Sequence, residues 1–350
     1  MLPLLTVFLA VEIAPDVAGV DFKQPQLAAD TKMVAMTFGA GRAVYFSASH
    51  DRGRTFSKPV KVAEEGPLAL GRHRGPRIAI TPGAIVISAV VGQRGGGADG
   101  DLRAWRSTDG GSTWSSGVTV NDVPAAAREG LHAMAAGGGL VFATWLDLRT
   151  KGTRLYGAHS RDGGATWSKN VLVYESPDGR ICECCHPSAM VDSKGAIWAM
   201  WRNALGGSRD MYLARSTDGG HRFSAAEKLG AGTWPLNACP MDGGGLALAS
   251  DGKVVTVWRR ANKVYLAPAG TRETVLDEGK DPAVAFGREG AYVVWSHGPG
   301  LRARVPGKSE PVALADEGGY AQVVAAPDGP VLAAWESRGR IVTRALDSME

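Results

Sequence analysis

Residues 107–114 read S-T-D-G-G-S-T-W, and three further segments of the chain repeat this pattern. The copies are S-H-D-R-G-R-T-F at residues 49–56, S-R-D-G-G-A-T-W at residues 160–167 and S-T-D-G-G-H-R-F at residues 216–223. Asp and Gly provide turn geometry, and the aromatic ring can pack beneath the turn. Because alternating apolar stretches flank each copy, the pattern predicts a hairpin turn in successive structural repeats.

A second repeated pattern, centred on tryptophan, marks another strand in each repeat and continues after the turn motif has faded. Counting the predicted innermost strands gives seven starts, near residues 25, 76, 131, 187, 240, 282 and 320. The last repeat lacks an outer strand after Arg344, and residues 6–13 could supply it and close the ring. The tryptophans of this series are Trp145, Trp201, Trp258, Trp295 and Trp335.

These repeats predict an all-β fold, a β-propeller of four-stranded antiparallel blades in a single domain. Seven blades are favoured and six are the alternative. The first blade spans residues 22–65, and six more blades span residues 72–346. The 47 glycines and 19 prolines, spread along the chain, agree with many tight turns between short strands.

The net charge and the apolar segments of the chain indicate which kinds of partner it can bind. Of 350 residues, 39 are basic and 35 are acidic, and the small excess of +4 gives no electrostatic footprint for nucleic acid. Residues 2–11 are apolar but too short to span a bilayer, so they are either a buried strand or part of an export signal. We expect a monomer without a transmembrane segment that binds a small molecule or glycan, with export to the periplasm or medium suspected.

The S-x-D-x-G-x-T-W element is similar to the Asp box, and the chain resembles the sialidase (neuraminidase) superfamily over nearly its whole length. Asp boxes occur in hydrolases and in proteins without enzymatic activity, so the site must decide the function. The family's hydrolases bind the sugar carboxylate with three arginines. They use a tyrosine nucleophile helped by a glutamate, and an aspartate as acid and base. The predicted first blade departs from the six-bladed hydrolases.

Residues 75–111 resemble the opening segment of the family pattern. They begin G-P-R-I-A-I and continue through Q-R-G-G-G-A-D-G-D. The resemblance assigns Arg77 to the carboxylate cluster, Arg94 to a supporting role and Asp99 to acid and base catalysis. Asp101 competes for that last role. Ala79 replaces the proline of the family's Arg-Ile-Pro motif.

Three later segments complete the resemblance. E-C-C-H-P, followed by M-W-R-N, gives Glu183 as the assisting glutamate and Arg202 as the second arginine. The segment W-S-H-G-P-G-L-R-A-R gives Arg302 as the third, with Arg304 close by, and G-G-Y-A-Q gives Tyr320 as the nucleophile.

The chemistry explains these residue types. Planar guanidinium groups bind a carboxylate through paired hydrogen bonds. A tyrosine nucleophile suits a sugar with its own negative charge, because that charge would repel a carboxylate nucleophile. Glu183 would accept the phenol proton, and Asp99 would protonate the leaving oxygen. The resemblance therefore implies a retaining exo-glycosidase for a sialic-acid-type sugar, with no cofactor required.

A different chemistry is indicated by residues 180–187, R-I-C-E-C-C-H-P, which hold three of the four cysteines. The repeat places them at the start of the fourth inner strand, beside the equivalent part of the next blade. Thiolates, imidazole and thioether favour Cu(I) or Zn. Disulfides or free thiols are the other interpretations. The alternative function is a Cu- or Zn-binding or redox propeller that uses Cys182, Cys184, Cys185, His186, Cys239 and Met241.

Overall fold

The computed structural model describes residues 10–349, which form seven four-stranded antiparallel sheets. The predicted fold class and the seven blades are confirmed. Within this range no residue is helical, and no segment forms a helix that could cross a membrane. In blades 1 to 6 the chain runs through four consecutive strands before it enters the next blade, so each blade corresponds to one sequence repeat.

The strands follow the blades in order. The first three blades, preceded by β1 (Val11–Ile13), contain β2 (Lys23–Ala29), β3 (Val34–Ala40), β4 (Ala43–Ser49), β5 (Val60–Ala63), β6 (Arg77–Thr81), β7 (Ala84–Val91), β8 (Asp101–Ser107), β9 (Val118–Thr119), β10 (His132–Gly137), β11 (Leu140–Asp147), β12 (Arg154–Ser160) and β13 (Val171–Tyr174). Blades 4 and 5 contain β14 (Ser188–Val191), β15 (Ile197–Arg202), β16 (Met211–Ser216), β17 (Glu227–Lys228), β18 (Gly244–Leu248), β19 (Val254–Arg260), β20 (Lys263–Pro268) and β21 (Thr274–Glu278). Blades 6 and 7 contain β22 (Lys280–Gly287), β23 (Gly290–His297), β24 (Gly300–Arg304), β25 (Val312–Ala315), β26 (Gly319–Ala325), β27 (Val331–Ser337) and β28 (Arg340–Ala345).

Blade 7 is completed by the N-terminal strand. β1 pairs with β28 in antiparallel register, with Val11 opposite Thr343 and Ile13 opposite Ile341. Ile13 is buried between blades 7 and 1, in a cluster that includes Phe22 and Ile341. The predicted ring closure is confirmed over Val11–Ile13, while residues 6–9 of the predicted strand lie outside the described residues. Closure leaves blade 7 with four strands, as in the other blades.

The hydrophobic core lies between neighbouring blades. Trp145, on the second strand of blade 3, is fully buried against Val86 and Leu102 of blade 2. Trp201 and Trp295 are fully buried at the corresponding places in blades 4 and 6. Successive side chains of a strand point to opposite faces. Each blade therefore buries apolar residues against both neighbours, which fixes the ring.

The four repeated turns share one hydrogen-bond pattern. In the copy at residues 107–114, the Ser107 hydroxyl donates to Asp109 Oδ1 at 2.7 Å and accepts the Gly111 N–H at 2.8 Å. The Thr113 N–H donates to the same carboxylate at 2.9 Å. Hydrogen bonds from Thr113 and Ser107 lower the pKa of Asp109 to about 2. The equivalent carboxylates accept the equivalent bonds in the other copies; they are Asp51, Asp162 and Asp218.

Candidate functional site at the channel mouth

The inner strands of blades 1, 6 and 7 begin with the same backbone irregularity. Gln24, Asp281 and Tyr320 have φ angles of 56°, 55° and 53°, and the pairing register shifts at each of them. Bulges of this kind re-aim a side chain. Left-handed conformations of residues other than glycine concentrate at functional sites. The three residues begin strands that surround the channel, so they lie at one end of it, here called the channel mouth.

The channel next to the mouth contains a cavity of about 210 Å³. A cavity of this volume suits a small ligand. Every blade contributes a residue of its first strand to the lining: Gln26, Arg77, Ala133, Ser188, Gly245, Ala283 and Gln322.

A buried histidine joins three blades at the mouth. His73 Nε2 lies 2.7 Å from Asp281 Oδ1, and both side chains are buried. The His73 ring stacks on His186, with centroids 4.2 Å apart, and meets Tyr320 edge-on at 5.1 Å. His186 Nδ1 accepts the Gly243 N–H at 3.2 Å. A Cβ at Gly243 would lie 2.8 Å from the His186 ring, so glycine is needed for this close approach.

A second carboxylate lies behind the first. Asp242 is fully buried, and its Oδ2 accepts the Asp281 N–H at 3.0 Å. Its Oδ1 has no hydrogen-bond partner among the described residues. Burial and the charge of Asp281 raise the pKa of Asp242 to about 6. Burial by itself would also raise the pKa of Asp281, but the hydrogen bond and the charge of His73 lower this pKa overall. The two carboxyl groups therefore hold protons with different affinity.

The charges of two carboxylates act on Tyr320. Burial raises its pKa, and the charges of Asp281 and Glu336 add to this effect. Glu336 accepts a hydrogen bond of 2.8 Å from Gln24 Nε2, and burial raises the pKa of Glu336. The phenol is therefore protonated at neutral pH and needs a base to react as a nucleophile.

Arg77 lies where the sequence predicts it, in the wall of the cavity. Its guanidinium group is buried and donates to the backbone oxygens of Gly75, Pro76 and His132 at 3.0 to 3.1 Å, and also to that of His73. Burial lowers its pKa to about 10. Arg77 thus fastens the strand starts of blades 2 and 3 together beside the cavity.

The structure does not bring the other two predicted arginines to this cavity. Arg202 is fully buried, and its guanidinium donates to the carbonyl oxygens of Arg209, Asp242 and Arg259 at 2.6 to 2.9 Å. These bonds join blades 4 and 5. Arg302 lies on β24, the third strand of blade 6. The three predicted arginines therefore do not surround one ligand, which corrects the expected carboxylate cluster.

Arg302 and Asp99 have local partners instead. Arg302 forms an ion pair with Asp277 at 3.3 Å. Asp99 lies in the loop between β7 and β8, where its carboxylate accepts the Gln93 and Arg94 N–H groups at 3.1 Å. Burial by itself would raise the pKa of Asp99, but the hydrogen bonds from these N–H groups lower it overall. The exposed Arg94 side chain lies 3.6 Å from it. An ionised carboxylate is a poor general acid at neutral pH.

The cysteines form a separate cluster beside blade 4. Cys182, Cys184 and Cys185, here called the sulfur cluster, are buried free thiols. Their Sγ atoms are 3.1 Å (182 to 185), 3.6 Å (182 to 184) and 4.0 Å (184 to 185) apart. Met241 packs against them. Cys239 is exposed and stands two positions before Met241 in the chain. Burial and the Cys184 thiol raise the pKa of Cys239 to about 11.

Glu183 lies with the sulfur cluster and not with Tyr320. Its side chain is half exposed, 4.0 Å from Arg180, and its charge acts on Glu129 and Cys239. His186, predicted as a metal ligand, instead faces the cavity and stacks on His73.

Several residues of the mouth were missed by sequence reasoning, although a signal for two of them exists. Residues 23–25 read K-Q-P and residues 280–282 read K-D-P. This repeat at two inner-strand starts marks the bulged positions Gln24 and Asp281. No comparable sequence repeat marks Asp242 or Glu336 as residues of the channel mouth.

These features define a class: a seven-bladed β-propeller with a polar, titratable site at one end of its central channel. The model of the BNR repeat-like domain family matches residues 43–331. Since this is most of the chain, the protein belongs to that family. No curated protein sequence matches the chain.

Proteins of known structure that share this fold include enzymes of different classes. The Hadza microbial sialidase Hz136 is 15% identical with a TM-score of 0.53, over 94% of this chain and 66% of that one. A streptogramin B lyase is 14% identical with a TM-score of 0.58, over 96% and 97%. An α-L-arabinanase from Penicillium chrysogenum is 13% identical with a TM-score of 0.54, over 98% of both chains. At this identity the likeness shows the fold alone.

Proposed function

We propose that the protein is a glycoside hydrolase that binds the terminal sugar of a glycan at the channel mouth. One observation carries the proposal: His73, which lines a polar cavity, contacts both Tyr320 and Asp281, and the three residues come from three blades. A phenol, an imidazole and a carboxylate in contact are suited to nucleophilic and acid–base chemistry. The BNR repeat-like fold, which occurs in sialidases and an arabinanase, agrees with this proposal.

In this proposal Tyr320 is the nucleophile and Glu336 is its base. Of the two carboxylates whose charges act on the phenol, Asp281 has a lowered pKa and Glu336 a raised one, so Glu336 is the better proton acceptor. Its raised pKa suits it to proton transfer near neutral pH. Glu336 replaces Glu183, which the sialidase resemblance suggests. Attack by Tyr320 breaks the glycosidic bond, and the leaving oxygen takes a proton from water. Water then hydrolyses the covalent glycosyl–tyrosine intermediate, so the reaction is retaining.

The proposed substrate carries a carboxylate. Two cations lie near Tyr320: the charge of Arg72 acts on the phenol, and Lys280 Nζ lies 3.8 Å from Asp281. These cations offset the charges of Asp281 and Glu336 and would contact the carboxylate of an anionic sugar at the mouth. A tyrosine nucleophile also suits such a sugar, because the electrostatic repulsion is smaller than for a carboxylate nucleophile.

Fluorogenic glycosides of sialic acid, glucuronic acid, arabinose and glucose test the proposal with the full chain. We expect turnover of an acidic glycoside and a loss of kcat of about 100-fold or more in Tyr320→Phe. Tyr45→Phe is the matched control, because Tyr45 packs on Phe38 in blade 1, away from the channel. Full activity of Tyr320→Phe, or turnover of none of these glycosides, would contradict the proposal.

A further inference from the structure

The spacing of the sulfur cluster matches that of ligands around one metal ion. A tetrahedral site with Zn–S bonds of about 2.3 Å separates its sulfur atoms by about 3.8 Å. Two of the three Sγ separations, 3.6 and 4.0 Å, lie close to this value, and the third, 3.1 Å, is shorter. One cation could therefore contact all three thiolates with shifts of a few tenths of an ångström.

The same distances do not fit a disulfide. Bonded sulfur atoms lie about 2.05 Å apart, and the shortest Sγ separation in the sulfur cluster is 3.1 Å. The cluster also differs from an ordinary apolar core. Its packed hydrophobic neighbour is Met241, whose thioether is itself a soft donor.

The backbone holds these cysteines before any ligand arrives. The Ile181 N–H donates to the Thr153 carbonyl and the Cys182 N–H to the Arg202 carbonyl, both at 3.0 Å. These bonds fasten the start of the loop to blades 3 and 4. A loop fixed in this way favours a preformed set of ligands.

A fourth sulfur comes from the next blade. Cys239 precedes the first strand of blade 5 and stands two positions before Met241, which packs against the sulfur cluster. It is exposed, whereas the other three cysteines are buried. An exposed ligand beside buried ones gives a cation a path from solvent into the site.

We propose that Cys182, Cys184 and Cys185 bind one thiophilic d¹⁰ cation, Zn²⁺ or Cu⁺, and that Cys239 completes the site. Soft thiolate ligands select these ions over Mg²⁺ and Ca²⁺. Each coordinating thiol loses its proton to solvent when the cation binds. The cation joins the loops before blades 4 and 5. This site is separate from the glycosidase proposal, because neither Tyr320 nor His73 is a ligand.

Metal titration of the reduced full chain tests this inference. Zn²⁺ is added in competition with a chromogenic zinc chelator, and Cu⁺ in competition with bathocuproine under argon. We expect one cation per chain, a higher melting temperature with the cation bound, and weaker binding on acidification because protons compete for the thiolates.

Two variants assign the ligands. Cys185→Ser removes the most buried thiol and should weaken binding by about 100-fold or more, since even indirect partners of a ligand contribute roughly 10- to 100-fold. Cys239→Ser tests the fourth ligand: a large loss of Zn²⁺ affinity is expected because Zn²⁺ prefers four ligands, and an unchanged Zn²⁺ affinity would overturn the role of Cys239. Ile181→Val changes a buried neighbour of the sulfur cluster that has no donor atom, and it is the matched control, with unchanged Zn²⁺ binding expected.

The wild-type chain alone can overturn the inference, so the test does not depend on the variants folding. Four titratable thiols with no cation bound at micromolar concentration would refute it. Thiols that appear only after reduction would refute it in favour of a disulfide. Unchanged affinity in a folded Cys185→Ser variant would also refute it.

Discussion

Replacing Gly111 by alanine tests how the repeated turns hold neighbouring blades together. Gly111 has a φ angle of +94°, and a Cβ atom there would lie 2.1 Å from Cε1 of Phe46 in the preceding blade. Phe46 is 2% exposed and packs edge-on against Trp114, with ring centroids 5.3 Å apart. The ring therefore has little room to move, and an added methyl group must displace either the ring or the turn.

The preceding glycine separates backbone strain from packing. Gly110 also has a positive φ angle, +73°, but a Cβ atom there meets nothing within 4 Å. Gly110→Ala should therefore lower the free energy of unfolding only by the strain of a left-handed residue, about 1 to 2 kcal/mol. Gly111→Ala adds the overpacking of Phe46, about 1 to 3 kcal/mol. The total for Gly111→Ala is thus about 2 to 5 kcal/mol.

Urea denaturation followed by tryptophan fluorescence measures both variants. The expected order of midpoints is wild type, then Gly110→Ala, then Gly111→Ala, with similar slopes. Equal midpoints for the two alanine variants would refute the reasoning, because the Phe46 contact would then contribute nothing to stability.

Two further predictions concern the mouth and the ring closure. Asp242→Asn removes a carboxyl group whose pKa is raised from 3.8 to about 6 in the folded state. Because the folded state holds this proton more tightly than the unfolded state, the carboxyl group destabilises the fold increasingly as the pH rises from about 4 to about 6. Above about pH 6 its effect on stability is constant. Urea denaturation should find the variant more stable than wild type by about 3 kcal/mol near pH 7.5 and equal to it near pH 4, and a less stable variant at the higher pH would contradict the burial argument. Ile13→Ala, in the closing strand, should lower the free energy of unfolding by about 2 to 4 kcal/mol. Glu12→Ala, which breaks the exposed ion pair with Arg340 at 2.6 Å, should change the free energy of unfolding by less than about 1 kcal/mol. Equal effects of the two substitutions would show that β1 does not pack as described.

The sequence by itself determined the architecture. The S-x-D-x-G turns are local structures, since Asp109 is bonded to residues at most four positions away. Because the hydrogen bonds of the motif are local, the motif can be recognised in the sequence, and its spacing gives the length of a blade. The missing outer strand of the last repeat predicted that the N-terminus closes the ring, because an unpaired edge strand exposes unsatisfied backbone groups.

The tertiary structure alone decided the site. His73 and Asp281 are 208 positions apart, and a pattern read within one repeat gives no information on such a pair. Arg77 and Arg202 have the residue type that binds a carboxylate, yet their guanidinium groups donate to backbone oxygens of neighbouring blades. The physical reason is that turn geometry depends on a few adjacent residues, whereas the partner of a buried charge depends on which blades the closed ring brings into contact.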